Sequence, residues 1–600
     1  MAMIHKDLDL ERAAHAAIDL TEAQALLDRF ATLTRESGSA DERTAGEYIA
    51  SRLRAHGVPV TVHEPELFLS VPERSELRVI DSGGNVIASR PPAFARSTGE
   101  IALVGELCYV PSSYAGGTAD LFDTPVAAAS AGGASDPVAG RIVLTEGFSM
   151  PGTVHAFERR GAIGQIFIHP GAAIHEGICT PIWGAPTHES LHRKPRTPVV
   201  CVSHPDGDRL IALASRGLAR VSIRTWLREG WWKCLLPVAE IPGSEDPDEF
   251  ILVHGHYDSW YVGIGDNATG DAALLELARV LHGLRDRLKR SVRVAWWPGH
   301  STGRYAGSVW YADEFAGEID EWCVAHLNID SPGCTGATAY EEVMWMAEAA
   351  ELCLDSIADA VGAPARGMRP LRAGDYSFNQ IGPTAFYMLL SNIPQAERKA
   401  RGDYAVGGCG GSTAWHTPDD GPAMADLGIL RRDLQVYVTT ILRVTNSPLH
   451  PFDYVAAVDE ITAAVGRYEE LSAGAASLAN VIEDLRALRA DIQRWRAEAE
   501  RRVAASPADA ALRRALNATL RRLARLLVPL GYARGERFDH DPAVKLPAVP
   551  RLEAAALLPE TPLELKPFVQ IALRRERNKV RAIIRAARRE VALQHLARST

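Results

Sequence analysis

Three runs, FILVHGHYD (250–258), SVRVAWW (291–297) and WCVAHLNID (322–330), are apolar at nearly every position, without the in-out alternation of a half-solvated strand. A strand that is apolar on both sides must be buried on both sides. Between the runs lie helical stretches, GDAALLELARVLHGL (270–284) and SVWYADEF (308–315). Continuous apolar strands alternating with helices predict an α/β unit with a mainly parallel sheet covered on both faces. In such a sheet ligands collect outside the carboxyl ends of the strands, so the residues that follow each run are the first candidates for chemistry.

The rest of the chain divides around this unit. Six hundred residues are too many for one core. Residues 1–91 begin with helical spacing through ALLDRFATLT and AGEYIASRLRAHG and then alternate in VPVTVHEPELFL, as an N-terminal part of the same unit. Residues 92–235 hold short β-like runs (IALVGELCYV, GRIVLTEG, GQIFIH, TPVVCVS) around one helix, GTVHAFERRGA, and are expected to form a β-rich insert. The α/β unit occupies 236–450, and 451–600 is expected to be a helical domain. The formal net charge of -10 argues against a nucleic-acid or anionic-membrane partner. Charges scattered through MAMIHKDLDLERAAHAAIDL fit neither a signal peptide nor a membrane span, so a cytoplasmic location is expected. The eight cysteines contain no Cys-x-x-Cys pair and are expected to be reduced, buried thiols.

Four polar positions stand at the expected strand exits and loops. His256 ends the first run with Asp258 two residues on, Asp266 follows the glycine-rich VGIG, Asp330 ends the third run, and His416 lies in GCGGSTAWHTPDD. Each alone has an ordinary explanation: a surface histidine, a helix N-cap, a turn residue, a structural histidine. Together they make a nitrogen and oxygen set suited to zinc or a similar divalent ion. Trp260, Tyr305, Tyr376 and Trp415 are candidates for an aromatic pocket, and Arg304 for a substrate carboxylate.

HGHYDSWYVGIGDNATGDAALLELARVL, AHLNIDSPG, GDYSFNQIGPTAFYM and WHTPDD, in this order, resemble the zinc aminopeptidase family that includes aminopeptidase Y, glutamate carboxypeptidase and transferrin receptor. The flanks extend the likeness. GRIVLTEGFSMPGTVHAFERRGAIGQIFIH with TPVVCVSHPDGDRLIAL resembles that family's protease-associated insert, and the helical tail resembles its dimerisation domain, implying a homodimer. The resemblance implies two zinc ions about a bridging carboxylate, here Asp266. His256 and Asp330 would complete one ion, expected to be the tighter, His416 would serve the second, and Asp258 would orient His256. The implied substrate is a small molecule or short peptide.

The family also places two adjacent glutamates after the strand that corresponds to SVRVAWW, one a general base and one a ligand. Here that position reads His300-Ser301 or Ser301-Thr302, according to the direction of counting, and no Asp or Glu occurs between Asp286 and Asp313. A positioned base is worth ~10²–10⁴ in rate. His300 is a candidate replacement base, or a ligand of the second ion, or a hydrogen-bonding residue of a remodelled loop. The expectation is a metal-dependent hydrolase of an amide or peptide-like bond with a remodelled base position at His300 and Ser301. A non-hydrolytic lyase or acyl-transfer enzyme and a transferrin-receptor-like pseudoenzyme are the alternatives.

Overall fold

The computed structural model describes residues 4–81, 85–125, 128, 136–217 and 219–596. Along the strand Asp246–His256, side chains alternate between two cores. Ile251 and Val253 pack against helices Thr269–Gly283 and Leu427–Asn446, while Phe250 and Leu252 pack with Tyr311, Ala312 and Ile319 of the helices on the other face. The strand Arg290–Trp297 divides likewise, with Val292, Val294 and Trp296 on one side and Ala295 and Trp297 on the other. This double burial is why the runs read as continuously apolar rather than alternating.

These strands form a six-stranded sheet in the spatial order Val60–His63, Leu236–Ile241, Arg290–Trp297, Asp246–His256, Cys323–Asn328, Thr384–Phe386. Asp246–His256 is parallel to both neighbours, and Cys323–Asn328 is parallel to Thr384–Phe386. The two strands at the other edge run antiparallel. The carboxyl ends of the central strands therefore open on one edge, where His256 and, just past its strand, Asp330 emerge side by side.

A second, seven-stranded sheet has its own apolar core, including Leu77, Ile142, Ile166, Val200 and Ile223. Its strands Leu103–Tyr109, Ile142–Glu146, Gly164–Ile168 and Val199–Val202 are mutually parallel, and the helix Pro151–Arg159 lies where GTVHAFERRGA suggests it. The sheet also takes in strands upstream of residue 92. Glu66–Val79 pairs antiparallel with Arg220–Lys233 along nearly its whole length, from Glu66 opposite Lys233 to Val79 opposite Val221. That ladder joins residues more than a hundred positions apart, which local alternation does not reveal.

After Pro451 the regular elements among the described residues are helices, with Tyr454–Leu471, Ala479–Ala505, Ala510–Tyr532 and Lys566–Leu596 as the long members. Arg525 ties this region to the sheet by donating to the carbonyls of Ile319 (2.8 Å), Cys323 (2.5 Å) and Gly382 (3.2 Å). Among the described residues, no helix is long and apolar enough to cross a membrane. All eight cysteines are free and buried.

Candidate metal centre

His256 closes its strand with both ring nitrogens committed in direction. Nδ1 donates to the Asp258 carbonyl oxygen at 2.9 Å, which fixes the tautomer. Nε2 faces Asp266 Oδ1 at 3.1 Å and Asp330 Oδ2 at 3.9 Å, yet makes no hydrogen bond although buried. His416 repeats the arrangement: Nδ1 donates to the Glu176 carbonyl at 3.0 Å, and Nε2 lies 3.1 Å from Asp266 Oδ2. Asp266 thus presents one oxygen to each imidazole. It is not the helix N-cap, a place taken by Ala268; it sits in the turn Ile264–Ala268, before a cis Asp266-Asn267 peptide.

Neighbouring groups hold these pieces in register. Asp420 accepts from the backbone N–H groups of Gly265 (2.6 Å) and Asp266 (3.0 Å). Asn267 donates to the carbonyls of His256 (3.1 Å) and Ile329 (3.0 Å) and accepts from Ser331 N (2.9 Å), so one amide links all three segments. Ligand atoms of His256, Asp266 and Asp330 lie within 4.8 Å of one another.

The donor set fits a cation. With Nδ1 carrying the proton, each Nε2 lone pair faces a carboxylate oxygen at 3.1 Å, and two acceptors at that distance need a positive charge between them. Without a cation there, protons fill the role. Burial opposes a charged His256, but the Asp258 and Asp266 carboxylates beside it hold it protonated well above the usual imidazole range. Burial, with Asp266 beside it, pushes Asp330 up to about 7. A divalent ion neutralises two carboxylates and suits imidazole with oxygen donors.

Asp258 serves a different neighbour from the one expected. Its carboxylate is 3.7 Å from His256 Nδ1, whereas it accepts from His300 N (3.0 Å), Ser301 N (2.8 Å) and Ser37 Oγ (2.5 Å). Burial would raise its pKa, but His256, His300 and Ser37 draw it down to about 2. The carboxylate therefore fixes the backbone of the His300 loop, and the carbonyl of the same residue orients His256. Further along the loop, a Cβ on Gly307 would meet Pro298 O at 2.4 Å, so only glycine lets the following helix start this close to the strand exit.

His300 stacks on His256, ring centroids 3.7 Å apart at 14°. Its Nδ1 lies 3.0 Å from Asp375 Oδ2, and Asp375, fully buried, also accepts from Ser308 Oγ at 2.7 Å. A carboxylate can only accept, so Nδ1 carries the proton and Nε2 keeps its lone pair. Burial and the adjoining His256 lower the pKa of His300. The result is an Asp-His pair at the rim of the metal centre.

Asp266, Asp330, His300 and His416 share one cleft with Trp260, Arg304, Tyr305 and Trp415. Glu176, Gly177 and Ile178 of the β-rich region close one side, and Phe122, Met150, Met344 and Met388 add apolar wall. Trp415 stacks on the His416 ring at 3.7 Å.

Residues 238–439 match the model of peptidase family M28. Aminopeptidase NAALADL1 of Mus musculus is 35% identical over 102 residues, 16% of this chain and 14% of that protein. Carboxypeptidase Q of Pongo abelii is 32% identical over 122 residues, 20% of this chain and 26% of that protein. The chain thus spans about a quarter or less of the length of these curated relatives. An aminopeptidase from Aneurinibacillus sp. strain AM-1 shares the fold, with a TM-score of 0.53 at 18% identity over 72% of this chain and 95% of that one.

Within the matched region the structure brings together His256, Asp266, Asp330, His416 and His300, and it separates two expected site residues from the cleft. Tyr376 is buried behind the cleft wall, in a cluster with Met344, Met346 and Val528, and does not line the cleft itself. The neighbouring Asp375, in a turn that follows the left-handed Gly374, meets His300 instead. Ser301 is buried outside the cleft lining, with its N–H held by Asp258. Asp375 and the Glu176 carbonyl are the contributions that sequence reasoning missed. Asp375 stands in the motif GDYSF, but its partner is 75 residues away.

Proposed function

We propose that the protein is a metal-dependent hydrolase that cleaves an amide or peptide-like bond in a small substrate. The observation that carries this reading is Asp266, each of whose oxygens faces an imidazole nitrogen at 3.1 Å. His256, Asp266 and Asp330 would hold one zinc ion, and His416 with the shared Asp266 a second, weaker one. Bound zinc supplies Lewis acidity toward a carbonyl oxygen and toward water. His300 takes the position of the family's missing base: Asp375 holds the proton on Nδ1, and Nε2 accepts a proton from the attacking water. The water oxygen joins the acyl carbon, the C–N bond breaks, and His300 Nε2 returns its proton to the leaving nitrogen. Trp260, Tyr305 and Trp415 enclose the substrate and limit water. The β-rich region is read as a protease-associated insert, supported by Glu176, which completes the cleft and orients His416.

Elemental analysis together with hydrolysis in ¹⁸O-water tests the proposal. Zinc should co-purify with the protein at one ion per chain or more, and one ¹⁸O should enter the acid product. A zinc-saturated preparation that retains no metal after desalting would overturn the metal assignment. Product free of label would replace hydrolysis by lyase or acyl-transfer chemistry.

A further inference from the structure

Arg304 is a buried cation without an anion. It lines the cleft at 4% exposure, its Nε and Nη2 have no hydrogen-bond partner, and among the described residues no carboxylate pairs with it. Its backbone is held at φ 50, followed by Tyr305 at φ 69, two consecutive left-handed conformations at residues that are not glycine. Such conformations persist only where the surroundings enforce them, and they cluster at functional sites. Here Gly184 N donates to the Arg304 carbonyl at 2.7 Å, and Trp183 packs on Tyr305 at 4.2 Å. Behind Trp183, the Arg372 guanidinium lies 3.7 Å over the indole and donates to the carbonyls of Asp541 and Tyr376, so it adds positive charge without neutralising Arg304.

Arg304 and His300 flank one ring, the guanidinium 5.0 Å and the imidazole 4.7 Å from the centre of Tyr305. A carboxylate held by the first lies within an amino acid's reach of a leaving nitrogen served by the second. The remaining wall is largely apolar, with Phe122, Phe148, Met150, Ile178, Met344 and Met388. We infer that Arg304 anchors the free α-carboxylate of the amine half of the substrate, and that the cleaved compound is an N-acyl amino acid with an apolar acyl group. The inference rests on the hydrolytic reading above. Water adds across the amide C–N bond and releases a carboxylic acid and a free amino acid, with no other reactant.

The test compares N-benzoyl-L-phenylalanine with its C-terminal carboxamide and with L-leucine p-nitroanilide, on the zinc-loaded full chain. Wild type should favour the acid over the carboxamide on the order of 10²-fold in kcat/KM, the scale of one buried charge pair. Arg304→Gln should erase that preference through KM, lowering kcat/KM for the acid far more than for the carboxamide, and Arg304→Lys should restore part of it. Equal use of acid and carboxamide by wild type, preference for the free-amine anilide, or an undiminished preference in Arg304→Gln would overturn the inference. Should no amide be hydrolysed, the hydrolytic reading fails separately, and calorimetry with N-benzoyl-L-phenylalanine decides on the anchor. Binding to wild type that Arg304→Gln abolishes supports it, and equal binding of acid and carboxamide refutes it.

Discussion

Asp375→Asn isolates the contribution of the buried carboxylate behind His300. Asp375 accepts two hydrogen bonds, from His300 Nδ1 at 3.0 Å and from Ser308 Oγ at 2.7 Å. Asparagine keeps the shape but turns one acceptor into a donor. With its carbonyl on Ser308, the new amide N–H faces Nδ1, which must then accept, and the imidazole proton moves to Nε2. A ring with Nε2 protonated cannot take a proton from water. The expected loss is that of a positioned base, ~10²–10⁴ in kcat, or about 3–5 kcal/mol of barrier. The mismatched buried bond should cost about 1–3 kcal/mol of folding stability, seen as a lower melting temperature. The assay measures kcat and KM on the best substrate from a panel of N-acyl amino acids and amino-acid anilides, with zinc content determined on each preparation. Metal content should equal that of wild type, and the double variant with His300→Ala should be no slower than His300→Ala alone, because the two residues act as a unit. Wild-type kcat in Asp375→Asn, or losses that multiply in the double variant, would refute the proposed pair.

Asp266→Asn removes charge at the oxygen pair shared by both imidazoles, so zinc per chain should fall; chelation of wild type should abolish hydrolysis and added zinc restore it. Glu249 is buried against Arg290 Nε (2.6 Å), His450 Nε2 (3.0 Å) and Arg521. Burial would raise its pKa, but His450, Arg290 and Arg521 hold it well below the usual carboxylate range. Its contribution to stability is therefore present above the unfolded carboxylate value of about 4.3 and is lost as pH falls toward the folded value. Glu249→Gln should cost about 3–5 kcal/mol near neutral pH by leaving buried arginines uncompensated, and the gap from wild type in denaturant unfolding should narrow in acid. All eight cysteines are buried, so a thiol reagent should leave the native protein unlabelled and modify all eight after denaturation; fast labelling of any one would contradict its placement.

The sequence by itself determined the architecture of the α/β unit and the order of its metal-binding candidates. Continuous apolar runs separated by helical stretches admit few arrangements other than a sheet buried on both faces. Residues that end such runs, His256 and Asp330, must then emerge at one edge. Those are consequences of local periodicity, which a single chain records.

What only the tertiary structure decided depends on contacts between distant segments. The motif lacks the two glutamates, and the carboxylate that meets His300 there, Asp375, comes from a turn 75 residues further along the chain. The Asp258 carboxylate turned out to hold the backbone of the His300 loop rather than the His256 ring, because two N–H groups of that loop converge on it. Tyr376 and Arg304 share a chemistry-bearing composition in the sequence, but packing buried one in an apolar cluster and left the other facing the cleft unpaired. Periodicity gives the face a residue belongs to within its own element. Which partner meets it there is set by how elements far apart in the chain pack together.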